Sequence, residues 1–254
     1  MTARTTFEPF ETSPCVTFTD EETGAVYDTL EDWSLIWRSV DIEDAQARRY
    51  AVTIPGRDGV LDLSEALGGV YYENRNIALS FACVNYTTER FHLLAATIRN
   101  ALDGKMCRVV LSDDSGYFWR GRPQVTAEWG GLNHTVIRIS VDAEPFKYNS
   151  VSSYDPWLWD PFNFVTGVIT QTSDIELSGG VETVTLPKDP ARSKPTLWLN
   201  RGNARAKVGS DGTWKTLKSG ANVFPEIRMN ENASCVLYLE GSGSVGVEYR
   251  VGSL

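Results

Sequence analysis

The segment that decides the fold reads Ile54-Pro-Gly-Arg-Asp-Gly-Val-Leu-Asp-Leu-Ser-Glu-Ala-Leu-Gly68. It follows a strand-like run at residues 50–54. Two turn dipeptides, Pro55-Gly56 and Asp58-Gly59, supply a preset φ and a positive φ. Such a double turn holds its charged side chains close together, namely Arg57, Asp58, Asp62 and Glu65. A solvated surface turn is the alternative interpretation, because turns usually run over the protein surface.

Four other segments flank this double turn and follow one another along nearly the whole chain. They are Leu30-Glu-Asp-Trp33-Ser-Leu-Ile36, Tyr72-Glu-Asn-Arg75, Leu102-Asp-Gly104-Lys105 and Val247-Glu-Tyr-Arg250-Val-Gly-Ser-Leu254. Together with the Pro-Gly-Arg-Asp-Gly core, and in this order, they resemble the motifs of the distal tail proteins (Dit) of long-tailed siphophages and their prophages. The core motif is the most distinctive of the five pieces.

The resemblance implies a two-domain, mainly β protein that is a structural part of a phage tail tip and not an enzyme. Residues 1–147 would form a β-rich α+β domain with one helix that assembles into a ring. Residues 148–254 would form a galectin-like β-sandwich. The ring, a homo-hexamer at the end of the tail tube, would leave a channel through which DNA passes. The implied partners are the major tail tube protein, a tail-associated or tail-tip protein, and receptor-binding or baseplate proteins.

Composition narrows the function classes without choosing one. Of 254 residues, 42% are hydrophobic and 22% are charged, which is typical of a folded globular chain. The net charge of −9 argues against a surface that holds nucleic acid, because phosphate neutralisation needs clustered Lys and Arg. We find no run of about 18 apolar residues and no secretory signal. We therefore expect no membrane partner and folding in a cytoplasm. The resemblance implies that this is the host bacterial cytoplasm and that the protein ends in the virion.

The first half predicts strands with one helix. Residues 76–84 alternate as a strand, and residues 89–103 form an amphipathic helix capped by Thr88. Trp33, Leu35 and Trp37 predict core, either along one strand face or as an aromatic cluster under a loop. A hairpin is predicted from residues 106–111 through a turn at 113–116, with its returning strand broken or bulged at 121–123. A further strand covers residues 135–141.

The second half predicts short strands separated by turns, as in a β-sandwich or jelly roll. An aromatic-rich linker at residues 148–166 precedes it. The candidate strands are 182–186, 195–199, 204–208, 213–217, 222–229, 235–239 and 245–251. Turns are predicted at residues 179–180, 200–203, 210–212, 230–232 and 241–243.

No pattern in the chain predicts a catalytic, metal or cofactor site. Gly241-Ser-Gly243-Ser-Val-Gly246 matches G-x-G-x-x-G, but a dinucleotide site needs this motif to open a helix, and only a strand-like run follows it. Two histidines, His92 and His134, are too few for a zinc or Ser-His-Asp site. The acids at residues 113–114 fit a solvated turn. The four cysteines are widely spaced and are expected to be structural thiols.

The subunit-interface candidates are Arg57, Asp58, Asp62 and Arg75. Ring contacts join one patch of a subunit to a different patch of the next. A rigid double turn that presents an arginine beside carboxylates suits such a contact, because charge pairing fixes its register.

Carbohydrate binding by a lectin-like host-recognition module is the alternative function. Exposed aromatic side chains stack on sugar rings, and the second half offers four weak candidates for sugar or partner contact: Trp157, Trp159, Trp198 and Trp214. The galectin sugar site needs a histidine on a His-x-Asn-x-Arg strand, and no histidine follows His134. The galectin likeness would therefore concern the scaffold and not the sugar site.

Overall fold

Strands dominate the computed structural model of the chain, which describes residues 14–66, 68–84, 86–130, 135–155 and 172–254. One α-helix is present among these residues. The chain forms two compact units, Met1–Pro145 and Phe146–Leu254, called unit 1 and unit 2 below. The mainly β fold class expected from the sequence is confirmed. The ring-forming role of the first domain and the galectin-like form of the second stay predictions.

Unit 1 is built on one large sheet. Its strands are β1 (Val16–Asp20), β2 (Val26–Asp28), β3 (Ile36–Ile42), β4 (Ala51–Val52), β5 (Leu61–Asp62), β6 (Arg75–Ala82), β7 (Cys107–Leu111), β8 (Tyr117–Trp129) and β9 (Thr135–Asn149), the last of which continues past Pro145. The strand order in the large sheet is β2-β1-β7-β8-β9-β6-β3, while β4 and β5 pair only with each other. The expected strand at residues 76–84 is confirmed as β6, in which Ile77, Leu79 and Phe81 are buried.

Helix α1 (Thr88–Leu102) lies against β8 and closes the core of unit 1. It buries Phe91, Ala95, Ile98, Ala101 and Leu102. The N-cap is Thr87, whose side chain accepts a hydrogen bond from Arg90 N, so the predicted cap at Thr88 is wrong by one residue. The helix ends before Gly104, which has a φ of 71° that favours glycine.

The aromatic residues near the start of β3 belong to the core, as the sequence predicts. Trp33 and Leu35 are buried in the turns that precede the strand. Trp33 stacks on Tyr27 with ring centroids 5.6 Å apart, and Trp37, inside β3, meets Phe81 edge-on at 5.9 Å. The sequence left open whether these residues line one strand face or cluster under a loop. Trp33 and Leu35 lie in the buried cluster before the strand, and of the three only Trp37 lies in the strand.

The break predicted at residues 121–123 is wrong, because β8 runs without interruption to Trp129. The partner strand explains why a proline is tolerated there. β7 pairs with β8 only as far as Cys107 opposite Gly121, so Pro123 needs no N–H for that ladder. Gly121 is instead required by close packing, since a Cβ at that position would lie 2.6 Å from the carbonyl oxygen of Asp142 on β9.

Unit 2 contains one five-stranded sheet among its described residues. The sheet contains β10 (Ile175–Leu186), β11 (Thr196–Val208), β12 (Lys215–Thr216), β13 (Gly220–Asn222) and β14 (Cys235–Glu248). A further strand, β15 (Gly252–Ser253), lies outside it. The order is β10-β14-β11-β12, with β13 also paired to β11. The separate strands predicted at 195–199 and 204–208 are one strand, β11, which is interrupted only by a register shift between Leu199 and Arg201.

The turns predicted at residues 179–180, 200–203 and 241–243 are wrong, because each segment lies inside a long strand. Their glycines form a band across the sheet, here called the glycine band: Gly179, Gly180, Gly202, Gly241 and Gly243. Gly202 faces Gly243 across the β11–β14 pair. A Cβ at Gly202, Gly241 or Gly243 would overlap a carbonyl oxygen of the paired strand. These three glycines therefore permit close backbone approach and not chain reversal.

Both halves of each long strand contribute to one hydrophobic core. On β11, Leu197 and Leu199 precede the glycine band, while Ala204 and Ala206 follow it. The inward-facing positions change from odd to even numbers across the register shift, as a one-residue bulge requires. A sheet whose two halves bury side chains in one core curls at the band between them.

Substitution inside the glycine band is expected to be costly only where backbone is close. Gly202→Ala places a Cβ against Ser242 at a φ of 82° and should lower the free energy of unfolding by about 2–4 kcal/mol. Gly180→Ala is the control, because nothing lies within 4 Å of its Cβ position. Urea unfolding of both variants measures the difference, and equal midpoints would contradict the close-approach role.

The last described strand closes unit 2 onto its own first residues. β15 pairs with the end of β9, with Gly252 opposite Tyr148. The fully buried carboxylate of Asp189 accepts hydrogen bonds from the backbone N–H groups of Gly252 at 2.8 Å and Ser193 at 2.7 Å. A buried charge of this kind is stable only when such donors surround it.

A charge network lies on the surface of unit 1 beside β1. Glu21 pairs with Arg108 at 3.3 Å and Arg120 at 2.9 Å, and Arg120 also pairs with Glu144 at 2.6 Å. Burial raises the pKa of Glu21, but hydrogen bonds and charge from the two arginines outweigh it and hold that pKa below the ordinary value. The network therefore stabilises the fold while Glu21 is ionised.

The contribution of Glu21 should depend on pH in a defined direction. Because its pKa is lower in the folded state, the stabilisation is present above the unfolded pKa of about 4.3 and is lost as pH falls through the folded pKa. Glu21→Gln should lower the free energy of unfolding at pH 7 by at most about 1 kcal/mol, since the arginines are solvent-accessible. Thermal unfolding should show this gap closing as the pH is lowered below the unfolded pKa, and a gap independent of pH would contradict the assignment.

Candidate partner-docking surface

The double turn lies at the end of an arm that leaves the large sheet of unit 1. The arm comprises residues 43–74, described except for residue 67, and joins β3 to β6. An Ala47–Tyr72 bridge closes its base, and Arg48 N donates to Tyr71 O at 2.7 Å. Beyond the base, β4 and β5 pair antiparallel, with Ala51 opposite Asp62. The arm is therefore a hairpin with a bonded base.

The arm exposes several large apolar side chains. Its large hydrophobic residues that remain exposed are Tyr50, Val52, Ile54, Val60, Val70 and Tyr71. Tyr50 is 66% exposed and Val60 is 57% exposed. Among the described residues, none from the arm belongs to the buried core of unit 1. Because a two-stranded hairpin alone is marginally stable in water, this surface is suited to burial against a partner.

The tip of the arm has the predicted double-turn geometry. Gly56 and Gly59 have φ values of 81° and 75°, which glycine adopts without steric cost. Arg57 N donates to Ile54 O at 3.2 Å and closes the first turn. The side chains of Arg57 and Asp58 are both exposed here. The structure thus brings this pair together at the point of the arm farthest along the chain from its base.

Asp62 has an internal role in the arm. Its Oδ1 accepts hydrogen bonds from Ser64 N at 2.9 Å and Ser64 Oγ at 2.5 Å. Ser64 Oγ in turn accepts from Tyr50 N at 2.9 Å. The hydrogen bond from the Ser64 side chain lowers the pKa of Asp62. This chain of bonds joins the two sides of the hairpin and fixes its register.

Arg75 is separated from the other three candidates by its burial. It begins β6 in the large sheet and is only 7% exposed. Its guanidinium lies 4.8 Å from the ring centroid of Trp119 and donates through Nη2 to Pro145 O. Nε is buried and has no hydrogen-bond partner among the described residues. These contacts support the sheet beneath the arm, and the proposed interface role of Arg75 stays a prediction.

The four tryptophan candidates of the second half differ in availability. Trp157 and Trp159 lie outside the described residues. Trp198 is half-buried beside Tyr154. Trp214 is half-buried, and Arg205 and Lys207 lie over its ring at 4.7 Å and 5.1 Å from the centroid.

The structure was compared with known proteins. No family model matches the sequence, and no curated protein sequence matches it either. Among solved structures, the crystal structure of the SPP1 Dit protein, described as a paradigm of the hub adsorption apparatus in phages that infect Gram-positive bacteria, matches with a TM-score of 0.56 and 12% identity. The match covers 94% of this chain and 99% of that protein.

The chain has the fold of a phage Dit hub protein. The resemblance stated from sequence motifs is thus confirmed at the level of fold. Two further structures match less well: a chain of the phage p2 baseplate in its activated conformation with Sr, at a TM-score of 0.40, and a chain of the anti-feeding prophage baseplate, at 0.26. The p2 match has 10% identity and covers 95% of this chain and 98% of that one. The anti-feeding prophage match has 12% identity and covers 55% of this chain and 93% of that one. Scores this low support no conclusion.

Sequence reasoning missed the apolar surface of the Dit-fold arm. Tyr50 to Ile54 was predicted as a strand, but only Ala51–Val52 forms one. The sequence did contain an indication that Val52, Ile54 and Val60 are exposed. Turn glycines and arginines lie around them, and a segment so rich in turns and charges runs over the protein surface and is not buried in a core.

Other chemistry is sparse among the described residues. They contain no group of three or more His, Cys, Asp or Glu side chains that could hold a metal ion, and no helix long and apolar enough to cross a membrane. Cys83 and Cys107 are buried, and burial raises the pKa of each thiol to about 11. All four cysteines are free thiols. Thiols with raised pKa values are poor nucleophiles.

The hydrogen bonds that Asp62 accepts from Ser64 should control the stability of the hairpin. Asp62→Ala removes the acceptor for both Ser64 N and Ser64 Oγ and should speed hydrogen exchange at the amides of Tyr50 and Leu63 several-fold. Leu63 N donates to Tyr50 O at 2.7 Å and therefore reports on the same pairing. Asp58→Ala, an exposed acid in the same arm, is the control. Equal exchange rates in the two variants would contradict a stabilising role for the hydrogen bonds of Asp62.

Proposed function

We propose that this chain is a structural distal tail protein of a long-tailed phage or prophage. Unit 1 assembles with further copies into a ring, a homo-hexamer at the end of the tail tube. Support comes from the Dit fold over 94% of the chain and from the ordered motif set in the sequence. The protein acts through contacts with other subunits and has no catalytic step.

The apolar arm carries the proposal. Its exposed Val60 and Tyr50 lie on a hairpin that unit 1 does not cover. A ring requires heterologous contacts, in which a surface of one subunit meets a different surface of the next. The hairpin is closed at its base by its own hydrogen bonds and contributes nothing to the core of unit 1. It can therefore supply one of these two surfaces without disturbing that core.

Charge at the tip of the arm suits the same contact. Arg57 and Asp58 are exposed and adjacent, and the turn geometry fixes their direction. Apolar contact provides affinity, while charge pairs suppress wrong registers and wrong partners. In the proposed ring, the tip therefore selects the position at which the apolar surface of the arm is buried.

The partners follow from the position of the ring in a tail. One ring face meets the major tail tube protein, and the other meets a tail-associated or tail-tip protein. Unit 2 docks receptor-binding or baseplate proteins. DNA only passes through the central channel, and the net charge of −9 suits passage without adhesion. The protein is assembled in the host bacterial cytoplasm and ends in the virion.

The proposal is tested by the mass of the full chain in solution. Light scattering over a concentration series, with negative-stain imaging, should show a species of six chains with an open centre. Val60→Asp should shift this species strongly towards monomer, because a carboxylate cannot be buried in an apolar contact without a partner.

Val223→Asp is the matched control for this experiment. Val223 is 55% exposed, nearly the same as Val60, but lies in unit 2. The control should keep the mass of the unmodified protein. A chain that remains monomeric at every concentration would contradict self-assembly, and a Val60→Asp ring of unchanged mass would remove the arm from the contact.

A further inference from the structure

A pair of aromatic rings lies on the outer face of the unit 2 sheet. Trp198 alternates on β11 with the buried Leu197 and Leu199, so its ring points away from the core. Tyr154 lies beside it, with ring centroids 5.7 Å apart and planes inclined by 37°. Both rings are half-buried. Tyr154 and Trp198 together are called the aromatic platform below.

The platform is fixed by its own chain. Gly246 on β14 is opposite Trp198, and a Cβ at Gly246 would overlap the Tyr154 ring. The Tyr154 ring therefore occupies the space that a side chain at position 246 would need. Trp198 Nε1 donates to Glu248 Oε2 at 2.8 Å. A site whose rings are already oriented loses little conformational entropy when a ligand binds.

Polar groups surround the platform on the same face. Asn200 is exposed at the register shift of β11; its Oδ1 accepts from the Tyr154 hydroxyl at 3.4 Å and its Nδ2 donates to Ser173 O at 3.1 Å. Asp174 is also exposed and accepts from Ser244 Oγ. An ionised carboxylate can accept about four hydrogen bonds. Asp174 and Glu248 thus keep acceptor capacity for ligand hydroxyl groups.

We propose that the aromatic platform of unit 2 binds a neutral sugar ring. A pyranose presents an apolar C–H face, which suits the rings, and an edge of hydroxyl groups, which suit the amide and the carboxylates. This binding would be a second activity, separate from the structural role proposed for unit 1. It would give a tail component direct contact with a surface glycan.

The chemistry around the platform disfavours other ligand classes. An anionic ligand would meet the carboxylates of Asp174 and Glu248. An apolar peptide side chain would leave the polar atoms around it without partners, which is costly. A quaternary ammonium group is usually held by an aromatic cage, whereas these two planes are inclined by only 37°.

Trp214 provides an internal comparison. Arg205 and Lys207 lie over its ring, and Arg205 is further held by Glu240 at 2.8 Å. The ring is engaged by cations of its own chain and offers no free platform of the same kind. Trp198 and Trp214 are thus both half-buried, but only the ring of Trp198 is available to a ligand.

The test is saturation-transfer NMR on the full chain with two probes, N,N′,N″-triacetylchitotriose and maltotriose. At least one probe should receive transfer at about millimolar concentration. Trp198→Ala should weaken its binding about tenfold, while Trp214→Ala should leave it unchanged. Asn200→Ala, at an exposed position, should also weaken binding and serves if Trp198→Ala fails to fold.

Light scattering on the same variants separates the two proposals. We expect the mass of Trp198→Ala and Asn200→Ala to equal that of the unmodified protein, since neither residue lies in the arm. Absence of transfer to both probes would overturn the sugar proposal, whether or not a ring forms. Equal binding by the unmodified protein and Asn200→Ala, or equal weakening by Trp214→Ala, would overturn it as well.

Discussion

A hairpin of two strands has apolar side chains that it cannot bury by itself, and this constraint connects the fold of unit 1 to its proposed role. The arm between β3 and β6 has strands of only two residues each, Ala51–Val52 and Leu61–Asp62. Its order comes from side-chain and turn hydrogen bonds, such as those of Ser64. Its apolar residues remain in solvent until another surface covers them. Local bonding thus holds apolar side chains in solvent, at a surface that a neighbouring subunit would cover in the proposed ring.

The large sheet of unit 1 supplies the rigid support that such an arm requires. β6, which receives the chain from the arm, has Ile77, Leu79 and Phe81 fully buried. Arg75, at the start of that strand, lies over Trp119 and bonds to Pro145 O. The arm is therefore attached to a strand that the core holds in place. In unit 2 the corresponding restraint is the close approach of backbones at the glycine band.

The sequence was most informative where periodicity and packing agree. The alternation of Ile77, Leu79 and Phe81 identified β6, and the helix stripe of Phe91 and Ile98 identified α1, because one face of each element is buried. The ordered motif set pointed to the Dit fold. Of the site, the sequence located the turn that presents Arg57 and Asp58, since glycines at positive φ leave a clear pattern.

The failures have a common physical cause. Glycines at 202, 241 and 243 indicate turns when local propensity is read alone, but here they serve contacts between strands that are distant in sequence. The break predicted at residues 121–123 failed for a similar reason, since β7 stops opposite Gly121 and leaves Pro123 without a ladder bond to supply on that side. The burial of Arg75 and the exposure of Val60 also depend on tertiary contacts. Properties set by a neighbouring strand do not appear in the sequence of one strand.

The pairing of Gly252 with Tyr148 has a consequence for synthesis of the protein. The first residues of unit 2 leave the ribosome before the strand that pairs with them. Asp189 also lacks one of its hydrogen-bond donors, the N–H of Gly252, until that strand has been made. The end of β9 cannot be paired until residues 252–253 have emerged. A chain that terminates early would keep a buried carboxylate short of a donor and an unpaired strand end. Gly252 thus completes a strand pair and also supplies a hydrogen-bond donor to a buried acid.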